Sequence, residues 1–281
     1  MSFFASHFLW LDVVIAAAFS AAAVGMVGTH AILRRVVFLP AALSQLSGLG
    51  VVVSFLIAHL IGNAHGSLFE SPRLFAALFA MGGALTLGLW REGPHATTES
   101  RLGAVFIACS ALTLLIGGAI PQELHDIQDI LFGNAIMIER SEMFITVGLS
   151  VVVIALHAWL ARAFVATAFD PTTLAAHGVR TRLLDGVLFL SMGLAVASST
   201  RVVGALPAFA FAVFPGRAAL GLSTRPRGVV AIAAILGAAS AFFGYWISFQ
   251  FSLPTGACMA TVAFAVWLLA SVPRWIRRGQ G

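Results

Sequence analysis

Three histidines, His30, His59 and His157, lie in or at the ends of long apolar runs, where a titratable ring is costly unless a partner or a ligand satisfies it. Two of the three fall near the ends of their runs, and there interfacial water is expected to satisfy an imidazole. Met26, Met81 and Met192 also lie within runs. A thioether suits a soft ion such as Cu(I), whereas scattered methionines in an apolar setting ordinarily fill gaps. In the polar stretch PQELHDIQDILFG, His125 and Asp129 stand four apart, so a helix there would put both on one face, as a surface metal site requires. Glu123 and Asp126 beside them equally fit a solvated acidic loop. No pair of histidines has the spacing of a cofactor-bearing membrane enzyme, so no cofactor and no catalytic residue is expected.

One absence removes two further chemistries. All sixteen basic residues are Arg. A phosphate-cradling Walker A loop needs a Lys, as does a Schiff-base nucleophile, so a nucleotide that drives this chain must be held by another subunit.

The elements available to position these residues are set by composition. Charged residues make up 10% of 281 positions and hydrophobic ones 60%. The apolar runs fall at about 9–32, 36–62, 74–90, 102–120, 143–161, 183–199, 202–216, 228–250 and 257–272. A run of about 18 or more apolar residues crosses a hydrocarbon core of about 30 Å only as a helix. The expectation is therefore one all-α, polytopic helix bundle over 1–281, with eight or nine spans and no soluble domain. The doubtful span is 202–216, which is short, has Pro207 inside and Pro215 near its end, and is expected to break there or to re-enter. The first run has no basic flank before it and no small-residue cleavage pattern after it, and reads as a retained helix.

Nine spans with the N-terminus outside put thirteen Arg on one side, among them Arg34, Arg35, Arg180, Arg182, Arg217, Arg225 and Arg227. Arg73, Arg140 and Arg201 fall on the other. The first side, with the C-terminus, is expected to be cytoplasmic by the positive-inside rule. Glu70, Glu123, Asp126, Asp129, Glu139 and Glu142 then face the exterior. The net charge of +5 describes an anchor on the inner leaflet and not a nucleic-acid surface, since the arginines are spread over separate loops. Cys109 and Cys258 lie in apolar runs, where a thiol behaves as a small hydrophobe.

Two loops on the Arg-rich side could dock a partner. Segment 162–182 leaves a span, turns at Asp170-Pro171, offers a short helix through Ala176 and breaks at Gly178. In 215–228, Pro215 and Gly216 are expected to end a span, and Arg225-Pro226-Arg227-Gly228 closes the segment.

The order FDPTTLAAHGVRTRLLDGVLFL, RVVGALPAFAFAVFPGRAA and SLPTGACMATVAFAVWLLAS resembles the C-terminal half of the permease subunits of bacterial zinc, manganese and iron ABC importers. Phe169, Asp170, Ala175, Gly178, Val203, Gly204, Leu206, Pro215, Ala218, Leu253, Pro254 and Gly256 occupy matching or nearly matching places in that pattern. LFGNAIMI at 131–138 and LRRVVFLPAALSQLSGLG at 33–50 extend the resemblance over about the whole chain. The resemblance implies a permease that works with a second copy of itself, cytoplasmic ATPase subunits and an extracytoplasmic metal-binding protein. It also implies a coupling segment at 216–228, with Gly216, Arg217, Arg225 and Arg227 against the ATPase.

Where that family pattern has Asp and His four apart on a span, this chain has Ala41 and Gln45, and Asn134 replaces a common Asp. Ala cannot ligate, and Gln offers one neutral oxygen. The expected translocation path is lined by Ser44, Gln45 and Asn134, with no strong metal site. A stand-alone secondary carrier is the alternative, although no internal repeat is evident and Asp12 and Asp185 lie near span ends rather than at mid-membrane.

Overall fold

The computed structural model describes residues 7–61, 71–89, 98–120 and 138–278, and every regular element among them is helical. In chain order these are α1 (His7–Leu33), α2 (Leu39–Ile61), α3 (Pro72–Leu89), α4 (Thr98–Ala119) and α5 (Arg140–Phe169). They are followed by α6 (Pro171–Ala176), α7 (Thr181–Val203), α8 (Ala205–Leu222), α9 (Pro226–Phe251) and α10 (Thr255–Arg278). Among the described residues, nine helices are long and apolar enough to span a bilayer, and only α6 is not. The stretches that hold His125, Asp129 and Asn134 lie outside the described residues.

Helix ends follow local chemistry. α1 stops in a Schellman turn: Val36 N–H donates to the Ala31 carbonyl at 3.0 Å and Arg35 N–H to Ile32 at 3.1 Å, with Arg35 at φ +60°. α6 ends the same way at Gly178, φ +82°, where glycine pays no steric penalty. At Gly204, φ +94°, a single residue turns the chain from α7 into α8.

Two sequence expectations are corrected. The run at 202–216 divides at Gly204 and not at its prolines: α8 continues unbroken through Pro207 and Pro215 to Leu222, 18 residues, so nine described helices are long and apolar enough to span. Proline's fixed φ is helical, and its cost here is one backbone hydrogen bond lost to the Phe211 carbonyl, which a site inside a bundle tolerates. Gly216 consequently lies within a helix and ends nothing. The run at 143–161 is part of a longer helix as well. At 30 residues α5 is about 45 Å long, half again the hydrocarbon thickness.

The bundle is organised around α1, which packs on α5, α7, α8 and α9. A helix surrounded by neighbours should be apolar on every side, and α1 is. Its backbone approaches its neighbours closely: a Cβ at Gly28 would overlap the Ala212 carbonyl of α8, and one at Gly25 would come within 2.8 Å of the Ala233 carbonyl of α9. Small residues permit such approach in lipid, where dispersion rather than water expulsion draws helices together. α2 packs on α3 and α4, and α3 on α7.

Candidate functional site

Three groups of polar side chains are held inside or at the ends of this bundle, and α5 and α7 contribute to all three. At the Arg-rich end, Arg34 one residue beyond α1 pairs with Asp185 of α7 at 2.6 Å and donates to Thr167 Oγ1 of α5 at 2.7 Å. Its guanidinium also lies 5.7 Å from the Phe189 ring centroid. At the opposite end, Glu142 of α5 accepts from Arg201 of α7 at 3.0 Å and lies 3.6 Å from Arg73 of α3. These residues border a cavity of about 60 Å³ together with Thr146 and Ser198. Asp12 of α1 pairs with Arg140 of α5 at 3.4 Å nearby.

Between the two ionic clusters lies a neutral one. His30 of α1 and His157 of α5 are fully buried, and their Nδ1 atoms are 3.2 Å apart. His30 Nδ1 is also 3.1 Å from the Met26 carbonyl. A carbonyl can only accept, so His30 carries its proton on Nδ1 and donates to Met26 O, with His157 Nδ1 as a second acceptor. His157 then carries its proton on Nε2 and donates to Ser191 Oγ of α7 at 2.9 Å, and Ser191 donates onward to the Leu188 carbonyl at 2.9 Å. His30 Nε2 is left buried without a hydrogen-bond partner. Phe164 walls the pair, with ring centroids 5.3 and 5.1 Å from the two imidazoles. His30 borders a cavity of about 300 Å³ that extends toward the Arg-rich end, lined also by Thr29, Phe169, Ser223, Thr224 and Pro226.

The structure distributes the sequence candidates unevenly. Ser44 is buried and donates to the Ala41 carbonyl of its own helix at 2.8 Å, so its hydroxyl is already engaged. Gln45 is half-buried, with its Oε1 lacking a partner. Neither residue lines the two cavities above. Gly216 is buried, and its Cα faces the Thr29 backbone of α1, so it serves helix packing and is not available to a partner. Arg217, Arg225 and Arg227 are exposed; Arg225 ends the three-residue turn 223–225 between α8 and α9, and Arg227 lies in the first turn of α9.

His59 is exposed on the last turn of α2, as an interfacial histidine should be. His30 and His157 are not satisfied by interfacial water: packed between α1, α5 and α7, they bond to each other, to the Met26 carbonyl and to Ser191. Sequence reasoning missed this pairing and the role of Ser191. Met192 packs in the main core and Met26 in a smaller cluster with Ala161 and Val230, so both side chains fill space. Both cysteines are free and buried.

On the Arg-rich face, α6 is a short, exposed helix at the tip of α5. Asp170 caps it, its Oδ1 accepting from Thr173 N–H and from Thr172 Oγ1, each at 2.9 Å. Hydrogen bonds from Thr173, then Thr172, hold the Asp170 carboxyl below the ordinary aspartate range.

The model of the ABC 3 transport family matches residues 6–274. The manganese transport system membrane protein MntC of Listeria monocytogenes is 28% identical over 248 residues, covering 88% of this chain and 84% of that one. The manganese import system permease protein ScaB of Streptococcus parasanguinis is 23% identical over 266 residues, covering 94% and 90%. Among solved structures, PsaBC from Streptococcus pneumoniae in complex with Fab superposes with a TM-score of 0.81 at 20% identity, covering 95% of this chain and 92% of that one.

Proposed function

The chain belongs to the ABC 3 transport family, and from that premise we propose that it is the permease subunit through which an ATP-driven importer moves a divalent transition-metal ion across the cytoplasmic membrane. The observation that carries the reading is the match of family model and relatives over nearly the whole nine-span bundle, with relatives named for manganese transport. The chain has no Lys, so ATP is bound and hydrolysed by separate cytoplasmic subunits. Two copies of the permease surround the path, and an extracytoplasmic binding protein delivers the ion to the acidic end.

Coupling runs through the Arg-rich face, where the exposed α6 and the exposed Arg217, Arg225 and Arg227 offer a docking surface for an ATPase groove. Alternating access then consists of loosening one ionic cluster while the other holds. Arg34–Asp185–Thr167 ties α1, α5 and α7 at the cytoplasmic end, and Arg73–Glu142–Arg201 ties α3, α5 and α7 at the other. Gln45 supplies a neutral oxygen where α2 borders the path, its half-buried Oε1 having no hydrogen-bond partner.

Reconstitution tests the reading. The chain alone in lipid vesicles is expected neither to hydrolyse ATP nor to concentrate zinc, manganese or iron. Addition of the ATPase subunits and the binding protein is expected to give ATP-dependent uptake. Uptake by the chain alone under a proton gradient would mark it instead as a stand-alone secondary carrier.

A further inference from the structure

We propose that His30 and His157 form a two-imidazole holding site for a nitrogen-preferring divalent cation such as zinc, at the head of the cavity that leads to the Arg-rich face. The inference rests on the permease reading and names where, inside this chain, the cargo pauses before release.

Geometry carries it. Two nitrogens bound to one tetrahedral zinc at about 2.0–2.1 Å stand about 3.3 Å from each other, and the two Nδ1 atoms are already 3.2 Å apart. The Met26 carbonyl oxygen, 3.1 Å from His30 Nδ1, offers a third donor at ligand-to-ligand spacing. Both rings are prepared for the exchange. Ser191 holds the His157 proton on Nε2, which keeps the Nδ1 lone pair directed toward His30 and is the usual outer-shell arrangement for a ligating histidine. His30 must give up its Nδ1 proton when an ion binds there and take one at Nε2. That nitrogen has no competing partner, and its ring borders a cavity of about 300 Å³, large enough for water to carry the proton across. The ring is neutral before and after, so the exchange leaves no buried imidazolium. Arg34, one helical turn from His30, is the nearest fixed positive charge, and Asp185 offsets it at 2.6 Å.

The donor set also selects. Imidazole suits zinc, iron and nickel, while manganese favours carboxylate, carbonyl and water. No carboxylate belongs to this cluster, and among the described residues no three His, Cys, Asp or Glu side chains converge anywhere. Two imidazoles and one carbonyl make an incomplete shell, and incomplete ligation suits an ion in transit, which must be held loosely enough to leave. The cavity's far wall includes Ser223, Thr224 and Pro226 of the α8–α9 turn, between the exposed arginines proposed to meet the ATPase. Movement of that turn opens or narrows the exit below the histidines.

The test is a Co²⁺ titration of the full chain in lipid nanodiscs, read by the visible ligand-field absorption of tetrahedral cobalt. The expected result is one Co²⁺ per chain, displaced by Zn²⁺ and at least tenfold less readily by Mn²⁺. His30→Gln and His157→Gln should each weaken binding about tenfold or more, and Ser191→Ala several-fold through the orientation of His157. His59→Gln, exposed on the last turn of α2 and outside the cluster, should leave it unchanged. His157→Asn, which keeps an amide for Ser191, serves where the Gln variant does not fold. No cobalt absorption in the wild type, cobalt binding unchanged in folded His variants, or equal competition by manganese each overturns the inference. Vesicles that hold the complete transporter separate the two levels. Zinc uptake undiminished in folded His variants removes the histidines from the path while the permease reading stands, whereas a wild-type transporter that takes up no divalent metal overturns that reading itself.

Discussion

The tightest glycine contact among the described residues predicts how much one methyl group can cost. Gly28 of α1 faces Ala212 of α8 so tightly that a Cβ at Gly28 would overlap the carbonyl oxygen, carbonyl carbon and Cα of Ala212, all of them backbone atoms that cannot rotate aside. Gly28→Ala therefore forces the two helices apart by on the order of 1 Å, and contacts around Val24, Val27, Ala31 and Phe211 in the shared core loosen with them. Overpacking of this kind costs about 1–3 kcal/mol. The control is Gly148 in α5, which is exposed and has nothing within 4 Å of where its Cβ would stand. There the same substitution should gain up to about 1 kcal/mol from helix propensity. The two Gly→Ala variants should thus diverge by about 1–4 kcal/mol in opposite directions from wild type. Thermal unfolding in detergent, followed by loss of the monodisperse gel-filtration peak, measures the order. A Gly28→Ala protein as stable as the Gly148→Ala protein would refute the close packing of α1 on α8.

Three further outcomes follow from polar contacts. Asp185→Asn should destabilise the fold by about 2 kcal/mol, because it strands the largely buried Arg34 guanidinium, and the exchange Arg34→Asp with Asp185→Arg should recover part of the loss in the same melting assay. Reversing Arg225 and Arg227 to Glu should reduce co-purification with the ATPase while membrane insertion is unchanged, since the remaining arginines hold the topology; normal co-purification and transport would make the turn only a connection. The depressed pKa of Asp170 stabilises the capped α6 at all pH above the ordinary aspartate range, and that support is lost as pH falls through the folded value. Amide exchange over 171–176, compared with Asp170→Ala at each pH, should show protection fading on acidification in the wild type only.

The spans were legible because lipid imposes one rule, internal satisfaction of the backbone, and apolar run length reports it directly. Asp170-Pro171 and Gly178 were legible for local reasons, a cap and a left-handed turn at the two ends of one six-residue helix. Pro215 misled because a proline inside a packed helix costs one hydrogen bond rather than the helix, and only the neighbours reveal that the position is buried. The histidine pair was beyond reach for a different reason. His30 and His157 are 127 residues apart, His157 is one of several polar residues on the buried face of α5, with Thr146, Ser150 and Thr167, and Ser191 is one of many serines in the chain. Which helices adjoin α1 is decided by Gly and Ala contacts that leave no periodic signature in the sequence.

The length of α5 has a mechanical meaning. A helix of about 45 Å crossing a hydrocarbon core of about 30 Å would act, if it tilts as a unit, as a rod turning about its middle, with α6 carried at one tip. A rotation of about 10° swings that tip by about 4 Å, whereas a residue near the pivot is displaced by less than an ångström. His157 stands nearer the middle than α6 does, so under the coupling proposed above a push delivered at α6 would arrive at the imidazoles as a shorter but more forceful stroke. Such a lever would trade travel for thrust, the ratio needed to loosen an ion held there without tearing open the core around it.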